Sequence, residues 1–205
     1  ERVTKAGEIP TNSITPPMAG YDELVPYNDD MFEANLEEAK ELLAEAGYPN
    51  GEGFPELEYI YNTNDGHKKV AEFIQEQWKQ NLGIDITLNN YEWKTFLEVR
   101  RNGAFDIGRN GWIGDYLDPQ TFLDLILSDS IYNDGNYNSS EYDQLIMDGR
   151  LQGGTDRMNT FAQGEQVAID DYAVIPLYFY TGTLIYNPDE LEGVHLNVMK
   201  SVMFV

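Results

Sequence analysis

The chain has 205 residues and a formal net charge of -23, from 13 Lys plus Arg against 36 Asp plus Glu. A surface of this sign repels phosphate backbones and anionic lipids, so nucleic-acid binding is not expected. Cysteine is absent, which excludes disulfides and thiol chemistry. The two histidines, His67 and His195, are not in a metal-ligand spacing, so we expect neither a metal nor a cofactor.

The beginning of the chain predicts no regular structure. Residues 1–33 are interrupted by prolines and glycines, which predicts a tether lying across a domain surface. They also lack the charged start and apolar stretch of an export signal, so we expect a cytoplasmic protein or a piece of an exported one. The first helix is predicted over 36–46, with Asn35 as its N-cap, Glu38 at the capping-box position and Gly47 at its end.

Strands and helices then alternate, as the spacing of apolar residues indicates. The predicted order is strand, helix, strand, helix, strand, over 56–62, 66–82, 84–88, 92–102 and 105–109. This order is typical of an α/β layer, a βαβ sheet flanked by helices. Phe73 and Trp93 are predicted to face the core.

The remainder is predicted to be helical up to about residue 172 and β-rich after it. The predicted helices cover 119–127, 139–151 and 156–171. Strands are predicted within 174–186, interrupted at Gly182, and again within 193–205. Apolar runs stay far below the about 18 residues of a membrane span.

Two arginines occupy positions that the pattern predicts to face inward. Arg100 continues the apolar face of its helix, and Arg109 shares a strand face with Phe105 and Ile107. A buried charge needs a partner. That partner is either a carboxylate inside the fold, or an anionic ligand to which a guanidinium can donate two parallel hydrogen bonds. The pattern alone leaves both interpretations open.

The segment 109–119 leaves the carboxyl end of the third predicted strand, where α/β sheets bind ligands. Asp118 precedes Pro119 and is predicted to cap the next helix. Asp115 has no such structural role, and a carboxylate near the indole of Trp112 suits an ammonium group. An acid and several cations facing a shared crevice suit a zwitterion such as a peptide, whose backbone could be held by strand-like hydrogen bonds.

Five segments resemble the oligopeptide-binding proteins of peptide ABC importers, within extracellular solute-binding protein family 5. They cover 61–69, 92–97, 103–107, 109–116 and 175–180, and the likeness extends over nearly the whole chain. The resemblance implies a periplasmic-binding-protein-like fold of two lobes that close on a hinge. This chain would be the carboxy-terminal ligand-binding lobe over 1–180, its beginning missing, with 181–205 as strands returning to the amino-terminal lobe.

The resemblance also implies a role for individual residues. Asp115 matches the aspartate that binds the α-ammonium group of the peptide, and Trp112 matches an indole that lines a side-chain pocket. Arg109, Arg100 and His67 match cationic groups that meet the carboxyl terminus of peptides of different length.

Tyr180 matches a tyrosine near the hinge that contacts the ligand. The loop 131–138 and the tail after residue 187 depart from the family pattern, which leaves ligand size and hinge contacts open.

The implied partners are an oligopeptide and the permease subunits of an ABC transporter. The implied location is extracytoplasmic, in the periplasm or at the outer face of the cell membrane through a lipid anchor outside this chain.

Other functions remain open at this point. The same fold could bind a dipeptide, a signalling peptide, an oligosaccharide or a metal chelate, although the arginine and histidine set favours peptides longer than two residues. An acid hydrolase could use Asp115 and Asp118 as paired carboxylates, an interpretation that the capping role of Asp118 argues against. An adhesion or scaffold module would bind no small ligand.

Overall fold

The computed structural model describes residues 3–22, 32–182, 184–196 and 202–204. The strands are β1 (Ile9–Pro10), β2 (Leu57–Asn62), β3 (Ile86–Tyr91), β4 (Ile107–Gly108), β5 (Tyr178–Phe179), β6 (Val194–Leu196) and β7 (Val202–Phe204). The α-helices are α1 (Phe32–Glu45), α2 (Asp65–Leu82), α3 (Trp93–Arg101), α4 (Gln120–Leu123), α5 (Ser140–Leu151) and α6 (Gly154–Asp170). Short 3-10 turns lie at Pro49–Gly51 and Asp124–Ile126.

The chain forms two compact units, which are described separately. The first unit comprises Glu1–Lys5 and Tyr27–Asn110, and the second comprises Ala6–Pro26 and Gly111–Val205. Each has its own apolar core. Among the described residues, no helix is both long and apolar enough to cross a membrane.

The first unit is built on a parallel sheet with the order β3-β2-β4. Its central strand β2 is the most buried, because its Ile60 is inaccessible to solvent and Tyr59 and Tyr61 are nearly so. The backbone N–H of Arg109 donates to the Ile60 carbonyl at 2.9 Å and so extends the ladder beyond β4. The predicted alternation of strands and helices is confirmed, and this part of the chain is an α/β layer.

Helix α2 begins and ends where local sequence signals predict. The Asn64 side chain accepts hydrogen bonds from the backbone N–H groups of Gly66 and His67, an N-cap. Gly83 ends the helix in the left-handed region, with φ of 71°. One prediction for this helix is wrong: Phe73 is exposed, whereas Ala71 is fully buried. The buried face is centred on Ala71, so Phe73 lies beyond its margin.

Helix α1 ends as predicted but begins earlier. Gly47 has φ of 93°, and Tyr48 N–H donates to the Leu43 carbonyl at 2.9 Å, which completes a Schellman cap. The helix begins at Phe32, so the prediction that Asn35 is the N-cap is wrong. Glu33 and Ala34, which precede Asn35, are compatible with a helix. The helix therefore begins before the capping-box pattern.

Trp93 does not lie in the core, and this prediction is also wrong. Its side chain is 50% exposed, whereas Phe96 on the same helix is fully buried. The two rings stack with centroids 6.0 Å apart. As the first residue of α3, Trp93 covers Phe96 from the solvent side and leaves it as the residue that anchors the helix.

The second unit is centred on the pair α5 and α6, both predicted within a few residues. Two glycines allow these helices to approach closely. A Cβ at Gly149 would lie 2.5 Å from the Phe161 ring, and one at Gly164 would lie 2.8 Å from Ile146 Cδ1. Tyr142, Ile146 and Phe161 are fully buried between them. The helix predicted over 119–127 is present as α4 followed by a 3-10 turn.

The described part of the opening segment is irregular, as predicted, but it is anchored more firmly than a surface tether. Ser13 and Thr15 are buried. Strand β1 pairs antiparallel with β5, with Ile9 opposite Phe179, and Ala6–Pro26 belongs to the second unit. Within 174–186 the structure describes only β5 as strand, and β6 and β7 pair antiparallel near the end. The remaining predicted strand positions at 183, 197–201 and 205 lie outside the described residues.

Candidate functional site

Two basic side chains of the first unit, those of His67 and Arg109, lie just after strands that end at one edge of its sheet. His67 lies in the first turn of α2, just after β2, and Arg109 comes directly after β4. Because β2 and β4 are neighbouring parallel strands, their carboxyl ends meet at the same edge. Ligands of open α/β sheets bind at that edge. His67 and Arg109 therefore both lie at this edge of the first unit.

The charge of Arg109 acts on His67 directly. Burial of the ring lowers the pKa of His67, and the neighbouring Arg109 guanidinium lowers it further, whereas a hydrogen bond with the Asn62 backbone opposes the shift. The ring is therefore predominantly neutral at pH 7 and can gain a proton when an anion arrives. The pair is suited to binding a carboxylate.

Arg100 lies in the last turn of α3 and is oriented by two contacts. Its Nη1 donates to Asn110 Oδ1 at 2.9 Å, and its guanidinium carbon is 5.4 Å from the centroid of the Phe96 ring. The side chain is partly buried. Asn110 is the residue after Arg109, so this hydrogen bond ties α3 to the segment that leaves β4.

In the second unit, the loop 111–118 presents Asp115 to solvent. Its backbone N–H donates to Thr121 Oγ1 at 3.0 Å, and its side chain is exposed. Gly114 makes the packing possible, because a Cβ there would lie 3.0 Å from the Phe122 ring and 3.1 Å from the Thr121 methyl. The main chain is therefore fixed while the carboxylate remains accessible, which suits a cationic ligand group.

Trp112, on the same loop, is partly buried and contacts Tyr132. The two ring centroids are 5.0 Å apart with an interplanar angle of 61°, an edge-to-face contact. Its indole nitrogen is buried and has no hydrogen-bond partner among the described residues. Sequence reasoning missed Tyr132, because the contact joins residues 20 positions apart and no local pattern marks it.

Asp118 has the structural role predicted for it. Its carboxylate accepts from the backbone N–H of Gln120, the first residue of α4, at 2.9 Å. It also accepts two hydrogen bonds from Arg157, at 2.7 and 2.8 Å. Burial would raise the pKa of Asp118, but the hydrogen bonds from Arg157 and Gln120 outweigh it and hold the pKa below its ordinary value. A carboxylate in this state does not serve as a general acid.

Tyr180 follows β5 and is 40% exposed. Its ring meets that of Tyr178 edge to face at 5.1 Å, and the two hydroxyl oxygens are 3.4 Å apart. The antiparallel pairing of β5 with β1 fixes the backbone beside it.

The six predicted site residues are divided equally between the two units. The first unit contains His67, Arg100 and Arg109, and the second contains Trp112, Asp115 and Tyr180.

Metal binding finds no support in the described part of the chain. No group of three or more His, Asp or Glu side chains there is arranged to hold a metal ion.

Sequence reasoning also missed Arg157, the partner of Asp118. A signal was available, since Arg157 is one of few basic residues in a long acidic stretch.

A family profile and individual relatives both match this chain to bacterial solute-binding proteins. The profile of the family described as bacterial extracellular solute-binding proteins, family 5 Middle, matches residues 1–134. The periplasmic oligopeptide-binding protein OppA of Salmonella typhimurium is 39% identical over 192 residues, 91% of this chain and 35% of that protein. The periplasmic murein peptide-binding protein MppA of Escherichia coli is 34% identical over 208 residues, 100% of this chain and 38% of that protein.

A solved structure agrees with these sequence relatives. The crystal structure of Haemophilus influenzae OppA in complex with the peptide RPPGFSPFR has a TM-score of 0.80 and 34% identity, covering 87% of this chain and 36% of that chain. The chain therefore spans little more than a third of the length of the relatives it matches.

Proposed function

Because this chain belongs to the bacterial extracellular solute-binding proteins of family 5, we propose that it is part of a receptor that captures oligopeptides outside the cytoplasm. The receptor delivers them to the permease of an ABC-type importer. The relatives named as oligopeptide- and murein peptide-binding proteins, described as periplasmic, support this substrate class and location.

The observation that carries the proposal is the placement of His67 and Arg109 at one edge of a parallel sheet, where the Arg109 charge contributes to lowering the pKa of His67. Arg100, whose guanidinium donates to Asn110, adds a further basic side chain to the same unit. We assign these groups to the peptide carboxylate, with different members serving peptides of different length. A guanidinium suits that carboxylate because it donates two parallel hydrogen bonds.

The second unit supplies the complementary charge. The exposed carboxylate of Asp115, on a fixed backbone, is assigned to the α-ammonium group of the peptide. Trp112 lines a pocket for a side chain, and Tyr180 contacts the ligand. Since backbone and termini are recognised more than side chains, specificity is broad, with water filling the space that each side chain leaves.

The division of the chain follows the same proposal. Residues 1–180 belong to the carboxy-terminal lobe, whose beginning lies outside this sequence, and 181–205 return to the amino-terminal lobe. Closure of the two lobes buries the peptide. The chain alone therefore binds weakly or not at all, because half of the contacts are supplied by the rest of the receptor.

The proposed receptor has no catalytic step. The relatives are solute-binding proteins, and Asp118, one of the two carboxylates that a hydrolase would need, is occupied by Arg157. Calorimetry on the full-length protein with tri- to pentapeptides separates the alternatives. A receptor gives heat of binding without turnover, a hydrolase gives turnover, and a scaffold gives neither.

Replacing Asp115 tests the site itself. Asp115→Asn keeps the shape but removes the negative charge, so peptide affinity is expected to fall by roughly 1–3 kcal/mol, the range for a lost charged hydrogen bond. Asp156→Asn, the same change at an exposed position in the first turn of α6, is the matched control and leaves affinity unchanged. Equal affinities for wild type and Asp115→Asn remove Asp115 from the site.

A further inference from the structure

The loop 128–138 of the second unit is held in shape by its own hydrogen bonds. The Asn133 amide nitrogen donates to the carbonyl oxygens of Leu127 at 3.2 Å and Tyr137 at 2.7 Å, and its amide oxygen accepts from Tyr137 N–H at 3.0 Å. Asp143 of α5 accepts from the Ser128 N–H at 3.0 Å. The conformation of the loop is therefore set by the protein and does not require a ligand.

The tip of this preformed loop presents two large side chains to solvent. Ile131 is 82% exposed and Tyr132 is 46% exposed, whereas Ile126 and Leu127 just before the loop are buried. A single exposed apolar side chain is ordinary in proteins. Here, however, the two are consecutive on an ordered loop, and one of them is in ring contact with a residue of the candidate site.

That contact joins the loop to the segment of Asp115. Tyr132 packs edge to face on Trp112 with centroids 5.0 Å apart, and Trp112 precedes Asp115 by three residues on the loop 111–118. The Trp112 indole nitrogen is buried, so the tryptophan offers ring surface and not its N–H group. Aromatic surface of this kind favours an apolar or aromatic partner.

The charge of the surrounding chain sets a second condition. From Asn110 to Gly149 the sequence contains no Lys or Arg. The same stretch contains the carboxylates Asp115, Asp118, Asp124, Asp129, Asp134, Glu141, Asp143 and Asp148. Asp118 and Asp124 are paired with Arg157 and Arg150, which lie beyond this stretch, but the carboxylates of the stretch outnumber these two cations. An acidic side chain of a ligand entering here therefore meets an excess of charge of its own sign.

We propose that Trp112, Ile131 and Tyr132 form a side-chain subsite that favours apolar and above all aromatic residues near the amino end of a bound peptide. The same subsite disfavours acidic residues. This inference rests on the proposed function, since Asp115 is the group that brings the amino end of a peptide to this segment. The loop 128–138 is then a determinant of specificity, because it sets which side chains the otherwise broad receptor prefers.

The test is calorimetry on the full-length receptor with triglycine and with tripeptides that carry one Phe, Glu or Lys at each position in turn. At one position, Phe is expected to bind roughly tenfold more tightly than Gly, as the burial of an aromatic ring implies. Glu at that position binds more weakly than Gly. Ile131→Ala and Tyr132→Ala lose most of the Phe advantage but keep the affinity for triglycine.

Two further variants serve as controls. Tyr132→Phe keeps the ring and therefore the Phe advantage, whereas Leu151→Ala removes an exposed aliphatic side chain at the end of α5 and changes nothing. Unchanged triglycine affinity also shows that a variant has folded. A Phe advantage that survives in both loop variants, or Glu or Lys binding as well as Phe, overturns the subsite while the receptor function stands. Failure of wild type to bind any of the peptides overturns both.

Discussion

Glu165 is a fully buried carboxylate, 0% exposed, whose described hydrogen bonds hold the opening segment to α6. Its Oε1 accepts from the backbone N–H groups of Ile14 at 2.7 Å and Thr15 at 3.1 Å, and its Oε2 accepts from the Tyr21 hydroxyl. Burial raises the pKa of Tyr21, and the adjacent Glu165 raises it further. Three donors from one segment therefore converge on a single side chain.

Removing this side chain leaves those donors buried without an acceptor. Glu165→Ala is expected to lower the free energy of unfolding by about 3 kcal/mol or more, because a hydrogen bond to a charged group contributes about 1.5–3 kcal/mol. Glu165→Gln costs less, about 1–2 kcal/mol, since Oε1 remains and the new amide can donate to the Tyr21 oxygen. Urea denaturation measures both.

The control for Glu165 is Glu141→Ala on the exposed face of α5, which is expected to change stability by less than about 0.5 kcal/mol. If Glu165→Ala unfolds at the same urea concentration as this control, the carboxylate does not anchor the segment.

Individual residues differ in how far the sequence predicts them. Asp118 was predictable as a cap because its role is local, two residues from its backbone partner. Glu165 was not, because its partners are about 150 positions away in sequence. Trp93 was assigned to the core by helical spacing, yet Phe96 takes that place. Spacing identifies a helix face but not which of its residues is deepest.

Helix α1 has an unfavourable charge arrangement at its carboxyl end. Glu33 lies in its first turn, no basic residue lies in its last turn, and Glu45 is its final residue. A negative charge at the carboxyl end of a helix opposes the helix dipole, whereas one at the amino end complements it. The two glutamates are therefore expected to have effects of opposite sign.

Reversing each charge in turn isolates this effect. Glu45→Lys is expected to raise the free energy of unfolding by about 0.3–1 kcal/mol, and Glu33→Lys is expected to be less stable than Glu45→Lys by roughly twice that amount. Both substitutions reduce the net charge equally, so each is the control of the other. Thermal unfolding at low salt measures the difference, and identical midpoints would show that the dipole has no influence on α1.

The elements that the sequence predicts well are those whose ends are encoded locally. Asn64 and Gly83 mark both ends of α2, and the apolar periods of β2 and β3 identify the parallel sheet. Strand β5 is only two residues long and exists because it pairs with β1, about 170 positions earlier. A sequence window around Tyr178 contains no information on that partner, so the extent of the strand could not be predicted.

At the scale of the whole molecule, the α/β class was predictable but the assignment of segments to units was not. The segment Ala6–Pro26 joins the second unit although Tyr27–Asn110 of the first unit separates it from Gly111 in sequence. Contacts such as Glu165 with Ile14 determine this arrangement, and periodicity does not encode them. The candidate site has the same property: its charges were found by residue type, whereas the Tyr132 contact to Trp112 was not.

The net charge of -23 affects the stability of the whole chain. Self-repulsion disfavours the compact state, and the ion pairs that oppose it include exposed ones, such as Lys40–Glu37, Lys68–Glu72 and Lys79–Asp85. Exposed pairs contribute only about 0–1 kcal/mol each. Salt screens both the repulsion between like charges and the attraction within ion pairs. Because the repulsion is the larger of the two, screening weakens it more.

Salt is consequently expected to stabilise the chain. Raising NaCl from about 10 mM to about 200 mM shortens the screening length from about 30 Å to below 10 Å, and the urea midpoint should rise. A variant with Glu41, Glu98 and Glu141 replaced by Gln, all exposed, carries three fewer negative charges and should show a smaller rise. A midpoint that falls with salt would mean that the ion pairs, including the partly buried Arg157–Asp118 pair, outweigh the repulsion, and the charge would then have to be neutralised locally within each unit.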